Sequence, residues 1–278
     1  MTEFLDRIQN QLLSALPDVE FRRLAPQLDR VELHQGQVLY ESGNTISYAY
    51  FPTTALVSTV YELEDGALTE TAVVGKEGMV GIAVFMGGDS RLGRAVVLSG
   101  GHALRLRALA LKDEFRRSDT LMHLLLRYTQ ALITQIAQTA ACNRHHSLDQ
   151  RLCRWLMLSL DRAHGDVVVM TQDVIANMLG VRREGVTAAA QRLQQHGLIR
   201  CARGRIAVLN RSGLEQRACE CYAVVRNEYE RLLPYTVATK EPGASKPRWI
   251  ARPVPAAVFA SERTTVAQPS SVLSGRFG

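Results

Sequence analysis

The chain has 278 residues, of which 46% are apolar and 22% are charged, so its composition is that of a globular protein and excludes a wholly disordered chain, a collagen and a coiled-coil rod. The formal net charge of +6 is unevenly spread: residues 1–147 carry −2, residues 148–235 carry +4 and residues 236–278 carry +4. Nearly all of the basic residues in the second half are arginines, whose planar guanidinium groups suit phosphates and guanine edges. A polyanion is therefore the first partner to consider, and an arginine-rich solvated surface is the alternative.

The sequence predicts neither an export signal nor a membrane segment. Its opening, MTEFLDRIQN, is charged and polar, and no apolar run approaches the roughly 18 residues of a membrane helix. We therefore expect a cytoplasmic protein that does not contact a membrane. All five cysteines lie between Cys142 and Cys221, and this odd-numbered, clustered set argues against a disulfide framework and for reduced thiols.

Residues 1–117 predict two short helices followed by many strands. Apolar residues at helical spacing, among them Leu12 and Leu13, predict the first helix, and FRRLAPQL predicts the second. From Val31 onward the segments are rich in Val, Leu, Tyr and Thr and are separated by glycines. The predicted strand segments are QVLYESG, SYAYFPTTALVSTVYELEDG, ALTETAVVG, RAVVLSGG and HALRLRALAL. Such a pattern predicts a sandwich or barrel.

Residues 118–146 contain no Gly or Pro and predict one long helix with two adjoining apolar stripes. One stripe consists of Leu121, Leu125, Tyr128 and Leu132, and the other of Met122, Leu126, Ile133, Ile136 and Ala140. One stripe could cover the β domain and the other a partner helix, or both could form a single wide face buried within one chain. The length of the helix favours dimerisation, and the candidate dimer residues are Leu125, Tyr128, Leu132, Ile133 and Ile136.

Residues 147–235 predict a compact, mainly helical unit. Its segments are LDQRLCRWLMLSLDRA, TQDVIANMLG, VRREGVTAAAQRLQQHGLI, the hairpin RCARGRIAVLN with Gly204 in its turn, and LEQRACECYAVVRNEYERLL. Residues 236–278 hold five of the nine prolines with many Ser, Thr and Ala, and they predict a disordered basic tail.

The sharpest motif lies between Thr171 and Leu209. Thr171 suits a helix N-cap, Gly180 suits the position just past a helix C-terminus, and a second helix follows at once. Two short helices joined in this way, followed by a hairpin, predict a winged helix-turn-helix whose polar face could read bases in a DNA major groove, while the hairpin arginines could hold phosphates. The candidate DNA-binding residues are Thr171, Gln172, Arg182, Arg183, Glu184, Thr187, Ala188 and Gln191 on the helix pair, and Arg203 and Arg205 on the wing.

The segment TQDVIANMLGVRREGVTAAAQRLQQHGLI resembles the helix-turn-helix of the Crp/Fnr superfamily of bacterial transcription regulators, including the Arg183–Glu184 pair. The order of elements over residues 15–210 is similar as well. The resemblance implies an α+β fold with an N-terminal jelly-roll β-roll of the cyclic-nucleotide-binding type, a long dimerisation helix and a C-terminal winged helix-turn-helix. It also implies a homodimer that binds double-stranded DNA, an unknown small-molecule effector, and RNA polymerase as a further candidate partner.

Two positions of the predicted helix-turn-helix depart from the family pattern. Arg182 stands where members often have a serine cap, and Ala188 stands where the best-known members have a second base-reading arginine. We therefore expect the operator to differ from that of the cyclic-AMP receptors.

The effector cassette departs further. In members that bind cyclic nucleotides, a Gly-Glu pair holds the ribose hydroxyl and a later Arg-Ser or Arg-Thr pair holds the phosphate. By alignment, Gly81–Ile82 and Arg91–Leu92 occupy these places, so the ribose acceptor and the phosphate-binding hydroxyl are both lost. We expect no control by cyclic AMP. Arg91 and Arg94 could retain an anion site or could be ordinary loop surface.

Other chemistry receives less support from the sequence. The iron–sulfur branch of the family needs cysteines near the N-terminus, whereas the first cysteine is Cys142. Cys219-x-Cys221 lacks the spacer of a zinc knuckle, and adjacent His145–His146 point in different directions, so we predict no metal, no cofactor and no catalytic residue.

A cupin-like β-roll metalloenzyme with an accessory helical domain is the alternative function. That site needs His-x-His with a following Glu and a further His, whereas His34 and His102 stand alone in the sequence.

Overall fold

A computed structural model of the protein describes residues 9–90, 92–163, 167–202 and 204–233. The predicted tail, residues 236–278, lies outside the described residues. The helices are α1 (Gln11–Ser14), α2 (Asp18–Leu24), α3 (Ala83–Met86), α4 (Ala108–Arg117), α5 (Asp119–His145), α6 (Leu148–Arg162), α7 (Gln172–Leu179), α8 (Arg183–Gln195), α9 (Arg211–Arg217) and α10 (Glu220–Leu232). None of the helices in these ranges is long and apolar enough to cross a membrane.

The strands of the N-terminal half form two antiparallel sheets. They are β1 (Leu28–Leu33), β2 (Val38–Tyr40), β3 (Tyr48–Pro52), β4 (Leu56–Glu62), β5 (Leu68–Val74), β6 (Arg94–Ser99) and β7 (Gly101–Arg107). One sheet has the order β1-β7-β3 and the other the order β2-β6-β4-β5. Both sheets contribute apolar residues to the core, among them Phe51 and Leu106 from one sheet and Val57 from the other.

One predicted strand segment is shorter than expected. HALRLRALAL continues as a strand only to Arg107, and α4 begins at Ala108. The residues after Arg107, ALALKDEFRR, include no β-branched side chain and consist largely of strong helix formers, with Leu111 buried. Local helix propensity therefore ends the strand that the apolar pattern alone would extend.

The long helix α5 has one buried stripe and one exposed stripe. It begins at the N-cap Ser118, whose hydroxyl accepts a hydrogen bond from the Leu121 amide at 3.1 Å. Leu125, Tyr128 and Leu132 pack inside this chain, so these three candidate dimer residues are not available to a partner. On the adjoining stripe, Leu126 is 48% exposed and Ile133 is 55% exposed, whereas Ile136 is partly buried and packs against the core.

Tyr128 anchors α5 to the β domain. Its hydroxyl donates to the Met79 carbonyl at 2.8 Å, and its ring lies so close to Gly78 that an added Cβ would stand 2.5 Å from it. Only glycine at position 78 leaves room for the Tyr128 ring. The contact between these two residues therefore sets how closely α5 packs on the β domain.

A buried polar network joins the β domain to three helices. The Arg162 guanidinium at the end of α6 lies 3.0 Å from the Glu77 carboxylate, and both side chains are almost fully buried. Arg162 also donates to the Gln135 side-chain oxygen of α5 at 2.7 Å, and the Tyr229 hydroxyl of α10 donates to the same oxygen at 3.0 Å. The amide of Gln135 donates to the Val73 carbonyl of β5 at 3.1 Å, so one glutamine connects four elements.

The C-terminal half packs directly on β5. Trp155 of α6 donates its indole N–H to the Glu70 carboxylate at 2.9 Å, and Ser58 of β4 donates to the other oxygen of that carboxylate at 2.7 Å. Burial raises the pKa of Glu70, and these two hydrogen bonds partly offset the rise. Met178 of α7 lies against the same serine, with its sulfur 3.4 Å from the hydroxyl.

Candidate nucleic-acid interface

The residues between Thr171 and Gln195 fold as two short helices joined by a tight turn. Thr171 caps α7, because its hydroxyl accepts a hydrogen bond from the Val174 amide at 3.3 Å. Gly180 ends the helix with φ +62°, a left-handed conformation that glycine adopts without strain. The second helix, α8, starts at Arg183 and buries Val186, Ala189, Ala190 and Leu193, the apolar face that its sequence indicates.

The opposite face of α8 presents the polar candidates to solvent. Arg182, Arg183, Glu184 and Gln191 are exposed, and Thr187 and Ala188 are partly exposed. Arginine can pair with guanine, glutamine with adenine and glutamate with cytosine, so this face carries the hydrogen-bonding groups that a major groove matches.

Two contacts hold the start of α8 against α7. The Arg183 guanidinium lies 3.2 Å from the Asp173 carboxylate, although the Arg183 side chain is still 62% exposed. The Thr187 hydroxyl donates to the Gln172 side-chain oxygen at 2.7 Å. An exposed ion pair of this kind contributes about 1 kcal/mol or less, so Arg183 can exchange Asp173 for another acceptor at little cost.

A three-stranded sheet with the order β8-β10-β9 lies beside the helix pair. Its strands are β8 (Val167–Val169), β9 (Ile199–Ala202) and β10 (Arg205–Val208). Gly204, with φ +74°, turns β9 into β10, and Arg205 is exposed at the tip of this wing. Arg203, the other candidate on the wing, lies outside the described residues. Thr171, Gln172, Arg183 and Arg205 line one groove between the helix pair and the wing.

The structure describes four of the five effector-pocket candidates, namely Gly81, Ile82, Leu92 and Arg94. Gly81 adopts φ +103° and leads through Ile82 into α3, while Leu92 is 77% exposed. Arg94 lies 3.4 Å from the Glu41 carboxylate and 3.2 Å from the Glu62 carboxylate. Arg91 lies outside the described residues. Arg94, one of the two candidate anion-binding arginines, is therefore already paired with two carboxylates.

We expect calorimetric titration with cyclic AMP or cyclic GMP to show no micromolar binding. Loss of a carboxylate that would accept the ribose hydroxyl weakens binding by roughly ten- to a hundredfold, and the missing hydroxyl at Leu92 adds to this loss. The Arg94→Ala variant is the control, and it should titrate like the unmodified protein. Micromolar binding of either nucleotide, with tighter operator binding, would show that Gly81–Ile82 and Arg91–Leu92 do not occupy the cassette positions.

The structure also brings together four residues that the sequence did not connect. The sulfur atoms of Cys142, Cys219 and Cys221 and a ring nitrogen of His146 all lie within 4.8 Å of one another. Hydrogen bonding with the Cys142 thiol lowers the pKa of Cys219 to about 6. The available sequence signals were Cys142-x-x-x-His146, which puts both side chains on one face of a helix, and Cys219-x-Cys221. Neither motif alone indicates a site, and their proximity depends on the tertiary fold.

Comparisons with known proteins agree with this geometry. The sequence model of the Crp-like helix-turn-helix domain matches residues 150–217. Among solved structures, FixK2 from Bradyrhizobium japonicum is 18% identical, with 69% of this chain and 98% of that chain covered and a TM-score of 0.60. A CRP-family transcriptional regulator from Thermus thermophilus is 21% identical, with 68% and 96% covered and a TM-score of 0.58. The comparison with curated proteins gives no match.

A third solved structure shows how such a fold is used elsewhere. It is the c-di-GMP-responsive global regulator CLP of Xanthomonas campestris, 15% identical, with 69% of this chain and 99% of that chain covered and a TM-score of 0.56. At these identities the likeness shows the fold. The chain thus contains a Crp-like helix-turn-helix domain and has the fold of the Crp/Fnr regulators, so the predicted resemblance and fold class are confirmed.

Proposed function

We propose that this protein is a homodimeric, sequence-specific DNA-binding transcription regulator of the Crp/Fnr type that acts in the cytoplasm and does not respond to cyclic AMP. The observation that carries the proposal is the exposed polar face of α8 beside the wing, on a domain of the Crp-like type. In this proposal residues 1–117 sense an unidentified small molecule, residues 118–146 form the dimer helix and residues 147–235 bind DNA. RNA polymerase remains a candidate partner, and no catalytic step is part of the proposal.

The exposed stripe of α5 supports the dimer. Leu126 and Ile133 lie seven residues apart on the helix, the repeat of a coiled-coil seam, and both are exposed in the single chain. Two copies joined along this stripe would carry two recognition helices. A two-fold regulator reads half-sites about 34 Å apart, so the angle between α5 and the winged helix sets whether both helices reach the DNA.

The alternative, a cupin-like metalloenzyme, has less support. Its metal ligands would have to lie inside the β-roll, but His34 is exposed just beyond the end of β1. The clustered Cys and His side chains lie instead at the end of α5 and the start of α10.

Selection of bound sequences from a random DNA pool tests the function. Two arginine variants then distinguish base contacts from phosphate contacts. Arg183→Ala should cost about 1–3 kcal/mol of binding free energy and relax base preference at one position of each half-site. Arg205→Ala should weaken binding to all sequences alike, because its proposed partner is a phosphate. Fluorescence anisotropy against the selected operator and a scrambled duplex measures both effects.

Arg231→Ala is the matched control, because Arg231 is an exposed arginine on α10 that pairs with Glu228 at 2.7 Å. It should leave binding unchanged. Binding of the unmodified protein should also fall steeply with salt, as counterion release requires. Failure to enrich any sequence, a flat salt dependence, or equal loss of specificity in both interface variants would contradict the proposal.

A further inference from the structure

Three thiols and one imidazole meet where the long helix α5 ends and the last helix α10 begins. Cys142 lies in the last turns of α5, and His146 is the C-cap of that helix. Cys219 is the N-cap of α10 and Cys221 lies in its first turn. The three cysteines are buried and form a cluster separate from the main apolar core. Thiolates and imidazole are the ligands that Zn²⁺ prefers in closed structural sites.

We propose that Cys142, His146, Cys219 and Cys221 bind one Zn²⁺ ion in a tetrahedral Cys3His site. In such a site neighbouring ligand atoms lie about 3.5–3.8 Å apart, as follows from Zn–S and Zn–N distances near 2.3 and 2.0 Å. The Cys142 and Cys219 sulfurs are 3.5 Å apart, and the Cys221 sulfur is 3.6 Å from Nδ1 of His146. The remaining pairs lie within 4.8 Å, so small side-chain rotations bring all four atoms to coordination distance.

The surroundings of His146 fit a metal ligand. With Nδ1 directed at the thiols, Nε2 lies 3.3 Å from the Glu220 carboxylate. A ligating histidine characteristically donates its other ring N–H to a carboxylate, which fixes the tautomer and strengthens the metal bond. Glu220 is therefore a positioning residue of the site.

The charge near the cluster fits as well. Three thiolates and one neutral imidazole around Zn²⁺ carry a net charge of −1. The buried Arg154 of α6 is close enough to act electrostatically on Cys142 and Cys221. One of its terminal nitrogens donates to the Thr139 hydroxyl at 2.9 Å, while its Nε has no hydrogen-bond partner among the described residues. A buried guanidinium needs an anionic neighbour, and the metal-thiolate site provides one.

The site would cross-link two parts of the molecule, because two ligands come from the end of α5 and two from the start of α10. Between them lies the junction at Ser147, where α6 begins. A bound ion would fix the angle between the dimer helix and the winged helix. If the proposed DNA-binding function holds, zinc occupancy then sets operator affinity, so the site would be regulatory as well as structural.

Metal analysis of the full chain, purified under reducing conditions and dialysed against a chelator of micromolar affinity, tests the site directly. We expect one zinc ion per chain. Replacement by Co²⁺ should give the intense thiolate-to-cobalt charge-transfer absorption and the visible bands of a tetrahedral ion. Cys142→Ser and Cys219→Ser should each lose both the zinc and the cobalt spectrum. The three remaining ligands leave one coordination position open to water and to the chelator.

Cys201→Ser is the matched control, since it leaves the same number of thiols but changes a wing cysteine outside the cluster, and it should retain zinc. Glu220→Gln keeps all four ligands and should weaken zinc affinity by about tenfold, which tests the site even if a cysteine variant fails to fold. The proposal is overturned if zinc is absent from the unmodified protein, if zinc content is equal in Cys219→Ser and Cys201→Ser, or if Cys142 and Cys219 form a disulfide without metal.

Anisotropy measured with the selected operator before and after zinc removal examines regulation separately. Affinity should fall on removal and return when zinc is added back. Stoichiometric zinc in a protein that selects no DNA sequence would leave the metal site established and contradict the DNA-binding function. Operator binding by a protein that contains no zinc would establish the DNA-binding function and contradict the metal site.

Discussion

Replacing Arg162 with Met is expected to lower the free energy of unfolding by about 3–5 kcal/mol, because it leaves the Glu77 carboxylate buried without its guanidinium partner. The two groups lie 3.0 Å apart, with 4% and 9% of their side chains exposed. The same change removes the hydrogen bond to Gln135, which also receives the Tyr229 hydroxyl. Urea denaturation, monitored by tryptophan fluorescence, measures the loss.

Two further variants separate this explanation from a simple loss of charge. Arg231→Met removes an exposed arginine that also pairs with a glutamate, and it should change the free energy of unfolding by less than about 1 kcal/mol. Arg162→Met combined with Glu77→Leu removes both charges and should recover part of the loss, since no buried carboxylate remains that has lost its guanidinium. If the double variant is less stable than Arg162→Met alone, loss of the guanidinium beside the Glu77 carboxylate is not the cause.

The second large effect is expected on α5. Leu126→Asp combined with Ile133→Asp places charges on the exposed stripe, where burial against a partner without compensating groups is costly. Sedimentation should report monomers, and operator affinity should fall by about 10²–10⁴-fold, because two linked half-site contacts become two separate ones. Circular dichroism should remain unchanged, since neither side chain packs in the core of its own chain.

Val19→Asp combined with Leu63→Asp is the matched control. Both side chains are exposed, on α2 and after β4 respectively, so this variant adds the same charge away from α5. It should remain dimeric. A folded Leu126/Ile133 variant that still sediments as a dimer would locate the interface on another surface.

The helix-turn-helix could be predicted from sequence because its signals are local. Thr171 caps a helix, Gly180 ends it with a positive φ, and the buried face of α8 follows from a helical repeat within 13 residues. The division of the long helix into a packed and an exposed stripe was harder to predict. Tyr128 and Ile133 are both apolar residues at helical spacing, so periodicity alone does not distinguish them. What distinguishes them is Gly78, which makes room for the Tyr128 ring from a distant loop.

The remaining features depend on pairs of residues that are far apart in the chain. Arg162 reads as an ordinary charge at the end of a helix, and only the fold brings it to Glu77. Cys142 and Cys219 are separated by 77 positions, and each is compatible with a small apolar core residue. Single-sequence reasoning has no means of pairing them, so the cluster became visible only in three dimensions.

The packing of the C-terminal half on β5 limits how this molecule can be recombined with other proteins of the same fold. Trp155 and Met178 make their polar contacts with Glu70 and Ser58, which belong to the other half of the chain. A chimera that joins this C-terminal half to a foreign β-roll would place the Trp155 indole N–H against a surface that lacks the Glu70 carboxylate. Under the proposed function, DNA specificity is therefore simplest to change through the exposed positions of α8, because those side chains can change without altering the contacts between the two halves.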